Sequence, residues 1–511
     1  MRNSNPKANR IKRIIAKITA ATLLASLVIL PLGTVDVSAK EDHYLHDVYI
    51  SVNGGETKTV RAVDCEYRNN LFVSLWDMAA LLSGTDAAFS AASVEKEIAL
   101  TLGGTPEGRN LGGWQEDEKE AFFAKESANN SLTLNGEIRK YSTLRADYGK
   151  GIDCFIRPVS LCMMLGMDIE DVSEDTYAIK TGTILKVSPQ KLEQDGFFNE
   201  INSVLVGDAT TGEIYYEFNG QQPLPIASTT KLMTYILTEE AVSKGAITED
   251  TMVTISEEAA IISESEDGTT PMEAGKQISV SELIRGALLP SSNECAYLLG
   301  EAVGGDTATF VSMMNDKAAE LGLSSAVFNN ANGLPNYNDS GVPSKSQNLM
   351  NAEDMFKMCA YILKTYPQIK EVTSLKDASL NSINAYVKNT NEILYNMPEI
   401  NGLKTGTTNR AGCCLVTSLT VNDGASDHDL VVVLLGAENN RARFTISELL
   451  AYYAKNVVLG NLSADGVVLS SGDETAEDQP LKITASTLVD MVVREAFKLQ
   501  KEGFSTNESV Q

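Results

Sequence analysis

The chain has 511 residues, 43% hydrophobic and 22% charged, with 68 acidic against 42 basic side chains and a formal net charge of −26. That length allows two or more domains and a full-sized core. The acidic balance excludes an ordinary nucleic-acid-binding protein, which needs a basic face, and requires any site for a carboxylate-bearing ligand to be locally positive.

The first 39 residues read as a signal peptide. Arg2, Lys7, Arg10, Lys12, Arg13 and Lys17 precede an apolar run from Ile18 to Leu32, and Val37-Ser38-Ala39 supplies small residues for cleavage. The run is short for a membrane span, so the mature chain is expected outside the cytoplasm, at the cell envelope. Seven cysteines make no metal spacing or regular disulfide framework. Most read as small buried hydrophobes, and the adjacent Cys413 and Cys414 should point to opposite faces of a strand.

Residues 40–190 read as a small β-rich domain built on a degenerate repeat. Ile50-Ser51-Val52-Asn53-Gly54 recurs as Leu132-Thr133-Leu134-Asn135-Gly136. Each copy is followed by a strand-then-helix pattern, Val73 to Leu82 and Ile156 to Leu165, and by a closing strand, Glu97 to Leu102 and Tyr177 to Lys180. The units resemble the repeat module at the N-terminus of copper amine oxidases, a likeness that does not imply copper. A spacer or a contact to the cell wall is expected of them. His43-x-x-His46 has no further ligand cluster nearby, so no metal and no cofactor is expected.

After a polar connector at 183–200, residues 195–456 change pattern. Two strands, Ser203 to Val206 and Ile214 to Phe218, flank a turn. Helical patterns follow at Lys231 to Val242, Val280 to Leu289, Cys295 to Val303, Ala308 to Leu321 and Ala352 to Leu363. Three strands, Asn401 to Thr405, Cys413 to Thr420 and Leu430 to Leu435, precede a final helix from Asn440 to Lys455. This is an α/β (α+β) layout in which both chain ends complete one antiparallel sheet around a helical block. Residues 457–511 read as an acidic linker and an amphipathic C-terminal helix, expected to dock on the body rather than to lie on a membrane.

Three short patterns can carry chemistry. Ser228 and Lys231 stand three residues apart at the opening of an apolar helix, where they share a face. The helix N-terminus favours an oxyanion at the Ser228 amide, and burial of Lys231 would lower its pKa enough for a general base. Ser291-Ser292-Asn293 occupies a polar break between two apolar helices. Lys404-Thr405-Gly406-Thr407 ends a strand that could pair with an extended peptide and hold its carboxylate. Each pattern alone is weak, because Ser93/Lys96, Ser188/Lys191, Lys180-Thr181-Gly182 and Ser382-Ile383-Asn384 repeat them elsewhere.

In this order, Ser-x-x-Lys, Ser-x-Asn and Lys-Thr-Gly resemble the signatures of penicillin-binding proteins and serine β-lactamases. The flanks Ala227 to Thr234, Leu289 to Asn293, Asn332-Gly333-Leu334, Gly402 to Asn409 and Leu435-Gly436-Ala437 are similar to low-molecular-mass D-alanyl-D-alanine carboxypeptidases. The resemblance implies the fold of that family and a hydrolase acting on peptidoglycan stem peptides that end in D-Ala-D-Ala. It implies Ser228 as nucleophile, Lys231 as base, Ser291 as proton relay and Asn293 as a substrate and lysine anchor. The amides of Ser228 and Thr407 would form the oxyanion hole, and Lys404, Thr405, Gly406 and Arg441 would bind the terminal carboxylate. β-Lactam antibiotics should acylate Ser228. A β-lactamase and a non-catalytic cell-wall-binding protein are the alternatives. The fifty or so residues after the catalytic region are too few for the second β domain common in the family. With only His43, His46 and His428 present, a Ser-His-Asp triad would have to use one of these.

Overall fold

A computed structural model describes residues 43–463 apart from 66–69, 95–96, 107–110, 116, 119–122, 128–130, 148–151, 174 and 336–345. The expected signal peptide and C-terminal amphipathic helix lie outside the described residues. Among the described residues no helix is long and apolar enough to cross a membrane.

The N-terminal repeat takes the form of two interlocked halves. The first opens with strand His43–Val52 and closes with Glu97–Leu102; the second opens with Ser131–Leu134 and closes with Thr176–Thr181. Each closing strand leaves its own half. Thr176–Thr181 pairs parallel to His43–Val52, with Tyr177 opposite Ile50, and Glu97–Leu102 pairs parallel to Ser131–Leu134, with Ile98 opposite Leu132. Both opening strands end in an Asn-Gly turn at positive φ, 51° and 73° at Asn53-Gly54 and 51° and 83° at Asn135-Gly136, the sequence such turns favour. The two asparagines do the same second job. Asn53 Oδ1 accepts from Thr181 N at 3.0 Å, and Asn135 Oδ1 accepts from Leu102 N at 2.9 Å. Each half also carries a short helix, Leu75–Leu81 capped by Ser74 and Pro158–Leu165 opened by its proline. A buried guanidinium ties the halves together: Arg61 bonds Asp77 of the first at 2.6 Å and Asp153 of the second at 2.9 Å.

The second region is built on a five-stranded antiparallel sheet in the order Glu213–Phe218, Ser203–Asp208, Asp427–Ala437, Gly412–Asn422, Ile400–Thr408. Alternation along these strands divides two cores. Leu205, Cys414, Val416, Val431, Val433 and Leu435 face the helical block. Val204, Val206, Cys413, Leu415, Val432 and Leu434 face the other way, onto helix Asn440–Val458 and the N-terminal region. The vicinal cysteines therefore do lie on opposite faces, and the described cysteines other than Cys65 are free and buried.

The connector is not the polar linker its composition suggests. Leu185, Val187, Leu192 and Phe198 are buried in the core that both regions share, with Phe198 against Tyr216 and Phe218 at 5.9 and 5.3 Å between ring centroids. Residues 43–463 thus form one continuous body, with helix Asn440–Val458 sandwiched between the sheet and the N-terminal strands.

Candidate active site

Ser228 sits in a single 3-10 turn, Ala227–Thr230, that runs directly into helix Lys231–Ser243. The turn is wound tightly. Ala227 is held at φ +46°, a conformation a non-glycine residue keeps only when its surroundings impose it. Two glycines impose it here. A Cβ on Gly333 would stand 2.0 Å from the Ala227 carbonyl oxygen, and one on Gly406 would stand 3.0 Å from the Ser228 nitrogen. Backbone from two distant segments thus closes on the Ser228 turn where a side chain would prevent it.

Lys231 has no solvent exposure. Its Nζ lies 2.9 Å from Ser228 Oγ, 2.8 Å from Asn293 Oδ1 and 2.8 Å from the Asn332 carbonyl oxygen. Burial pushes its pKa down to about 7, against the opposing pull of the Glu294 charge. A neutral amine fits all three neighbours: two N–H groups donate to the two carbonyl oxygens, and the lone pair is left for the serine hydroxyl.

Asn293 opens helix Asn293–Gly304 and joins two walls of the cleft. Its Oδ1 accepts from Lys231, and its Nδ2 donates to the Asp267 carbonyl at 2.8 Å. The middle residue of the motif, Ser292, caps this helix by accepting from Cys295 N at 3.0 Å. Ser291, half-exposed, is the second strained residue of the site at φ +67°. The neighbouring Glu294 is fully buried and takes hydrogen bonds from Thr269 N at 3.1 Å, Thr269 Oγ1 at 3.2 Å and Thr270 N. Adjacent residues of one helix thereby hold the 267–270 loop against the site.

Strand Ile400–Thr408 forms the third wall. Lys404 is buried, donates to the Thr405 carbonyl at 2.9 Å, and has its pKa lowered well below the lysine range by burial and by the charges of Lys231 and Arg443. Thr405 Oγ1 lies 2.5 Å from Thr390 Oγ1. Thr407, at the open end, is exposed.

Arg441 is not in this cleft. Its guanidinium stands 5.6 Å over the Phe72 ring of the N-terminal region. The arginine that reaches the strand is Arg443, whose Nη1 donates to Thr407 Oγ1 at 3.0 Å, the Gly406 carbonyl at 3.2 Å and the Cys414 carbonyl at 3.3 Å. The two are two residues apart in the first turns of helix Asn440–Val458, and residues at that spacing face nearly opposite directions. Sequence reading also missed the Asn332 carbonyl, Glu294 and Thr390. Only Asn332 had a local signal, the Asn-Gly turn beside it.

His428 cannot serve Ser228. It lies between Asp208, 2.7 Å from Nδ1, and Asp423, 3.3 Å from Nε2, near Asn422 and Asp427, at the end of the sheet opposite to the Thr408–Gly412 turn. Among the described residues no group of three or more His, Cys, Asp or Glu side chains could hold a metal ion.

Comparison with known proteins converges on the same half of the chain. Residues 191–439 match the family described as D-alanyl-D-alanine carboxypeptidase. The chain is 30% identical over 248 residues to the D-alanyl-D-alanine carboxypeptidase DacF of Bacillus subtilis, covering 48% of this chain and 59% of that one. It is 32% identical over 225 residues to a D-alanyl-D-alanine endopeptidase of Pseudomonas aeruginosa, covering 43% of this chain and 67% of that one. Among solved structures it is similar to a peptidoglycan synthesis regulatory factor (PBP3) of Streptococcus pneumoniae, at 34% identity and a TM-score of 0.46 over 50% of this chain and 74% of that one. The chain thus spans less than two thirds of the DacF length.

Proposed function

This chain belongs to the D-alanyl-D-alanine carboxypeptidase family, and from that premise we propose that it removes the terminal D-alanine from peptidoglycan stem peptides through a Ser228 acyl-enzyme. The observation that carries the proposal is the fully buried Lys231 amine, 2.9 Å from Ser228 Oγ with its pKa near neutrality. Such an amine is in large part neutral at pH 7 and can take the hydroxyl proton as Oγ attacks.

The steps follow from the groups present. Ser228 Oγ adds to the carbonyl carbon between the two terminal D-alanines while its proton passes to Lys231. The resulting oxyanion is held by the amides of Ser228 and Thr407, the first at the start of a helix whose dipole favours negative charge. The C–N bond then breaks, and the leaving D-alanine nitrogen takes a proton through Ser291. Water attacks the acyl ester, Lys231 accepts its proton, and Ser228 is regenerated. Asn293 keeps Lys231 aimed and contacts the substrate amide. Lys404, Thr405, Gly406 and Thr407 hold the terminal carboxylate, with Arg443 bracing the strand behind them.

β-Lactams present a similar carboxylate and a reactive amide and acylate the same serine. The substrate places the protein at the cell envelope, reached by export through residues 1–39. The deciding experiment incubates the protein with a peptide ending in D-Ala-D-Ala and measures free D-alanine. Release should fall by roughly 10³-fold or more in Ser228→Ala. Absence of both D-alanine release and a penicillin adduct on Ser228 would refute the reading.

A further inference from the structure

The N-terminal region meets the catalytic region at a segment whose other end borders the cleft. Strand Glu137–Lys140 runs against the turn Glu392–Tyr395. Lys140 N donates to Asn396 Oδ1 at 2.8 Å, and Asn396 Nδ2 donates back to the Lys140 carbonyl at 2.9 Å. A side-chain amide here continues the β-ladder, satisfying backbone groups that a strand edge would otherwise leave open. The Lys140 ammonium lies 4.6 Å over the Tyr395 ring and 3.9 Å from Glu392 Oε1.

The inner end of this segment touches the Lys404–Thr407 motif and the residue that leads into Ser291-Ser292-Asn293. Thr390 Oγ1 is 2.5 Å from Thr405 Oγ1. Thr390 also donates through N at 3.1 Å and through Oγ1 at 3.2 Å to the Leu289 carbonyl, two residues before Ser291. Asn391 Nδ2 donates to the Gly402 carbonyl at 3.2 Å. Glu392 feels the charges of both Lys140 and Arg443, and Arg443 holds Gly406 and Thr407.

We propose that the N-terminal region is a positioning element of the peptide-binding strand: Lys140 and Asn396 clamp residues 389–396, which set Thr405 through Thr390. The inference rests on the function proposed above, and it departs from a spacer role for this region. Neither residue touches substrate. Lys140 precedes the family match at 191–439, so this support is an addition to the common catalytic body. A carboxylate site works only within a fraction of an ångström of its proper geometry. Loosening the clamp should therefore weaken substrate binding while leaving Ser228 and Lys231 intact.

The test uses the full chain, with active sites counted by labelled penicillin. Asn396→Leu, which removes both hydrogen bonds to the Lys140 backbone, and Lys140→Met, which removes the ion pair with Glu392 and the contact with the Tyr395 ring, should each raise KM for a D-Ala-D-Ala peptide about three- to tenfold. The kcat per titrated site should stay within about twofold. Lys140→Arg, which keeps the cation beside Glu392 and Tyr395, should restore KM. In a Thr390→Val background, Lys140→Met should add less than about twofold, because the route it acts through is already cut. Unchanged KM in both Lys140→Met and Asn396→Leu overturns the proposal, as does a fall in kcat with KM unchanged. If wild-type protein neither releases D-alanine nor binds penicillin, the functional reading fails and this inference falls with it.

Discussion

Burial of Lys231 converts an ordinary surface cation into a base matched to neutral pH. With its pKa near 7, acylation of Ser228 should fall on the acid side of neutrality, where the amine is protonated and cannot accept the hydroxyl proton. Glu294 opposes this by stabilising the ammonium. In Glu294→Gln the negative charge is gone and the Lys231 pKa drops, so the acid limb of penicillin acylation should move to lower pH. A limb that stays in place or moves upward would contradict the assignment. The same spacing at Ser188 and Lys191 has the bland outcome: Ser188 Oγ accepts from Lys191 N at 3.2 Å and merely caps a short helix. Ser228, Lys231, Ser291, Asn293 and Lys404 were legible because three motifs had to occur in order. Arg441 was not separable from Arg443, because the phase of a helix relative to a neighbouring strand is set by packing that no local pattern records. The role of the Asn332 carbonyl was hidden for a simpler reason: the Asn-Gly turn marked the place, but any residue could supply the oxygen.

At the scale of elements, the site depends on backbones that approach too closely for side chains. Gly333 combines φ +87° with an Ala227 oxygen 2.0 Å from where a Cβ would stand. Gly333→Ala should push the nucleophile turn away from Lys231 and lower the penicillin acylation rate by about 10²-fold, the usual consequence of a displacement near 1 Å. Stopped-flow acylation of folded protein would check it. Most regular elements were legible from periodicity: the sheet strands, five helices of the block and helix Asn440–Val458 lie close to where alternation and amphipathic spacing put them, whereas helix Glu257–Glu264 was not read. The 389–396 segment was not, because it has neither period and is held by asparagine and threonine side chains. The 183–200 connector misled for a related reason. Its few apolar residues are spaced too irregularly to announce that Leu185, Val187, Leu192 and Phe198 are buried.

Across the whole molecule, the shared core makes the two regions one thermodynamic body, and Glu448 lies at their junction. Burial raises its pKa to about 8, with Asn396 and Tyr141 bonded to the carboxyl. A group whose folded pKa is raised stabilises fully below its unfolded value of about 4.5, and that contribution is lost as pH climbs through about 8. Glu448→Gln keeps the neutral shape at every pH. Its melting temperature should therefore gain on that of wild type between pH 5.5 and pH 8.5. A constant difference over that interval would show that Glu448 titrates normally.

The exchange of closing strands between the N-terminal halves has a consequence for the life of the protein after damage. Each half is clasped by a strand belonging to the other, so a protease cut at residues 103–105, where the chain is largely exposed, severs it without freeing either piece. The nicked protein should run as one species on a native gel and as two only after denaturation. Separately expressed segments on either side of the cut should find each other and restore D-alanine release. A covalent break in the N-terminal region, remote in sequence from Ser228, would then leave D-alanine release unimpaired.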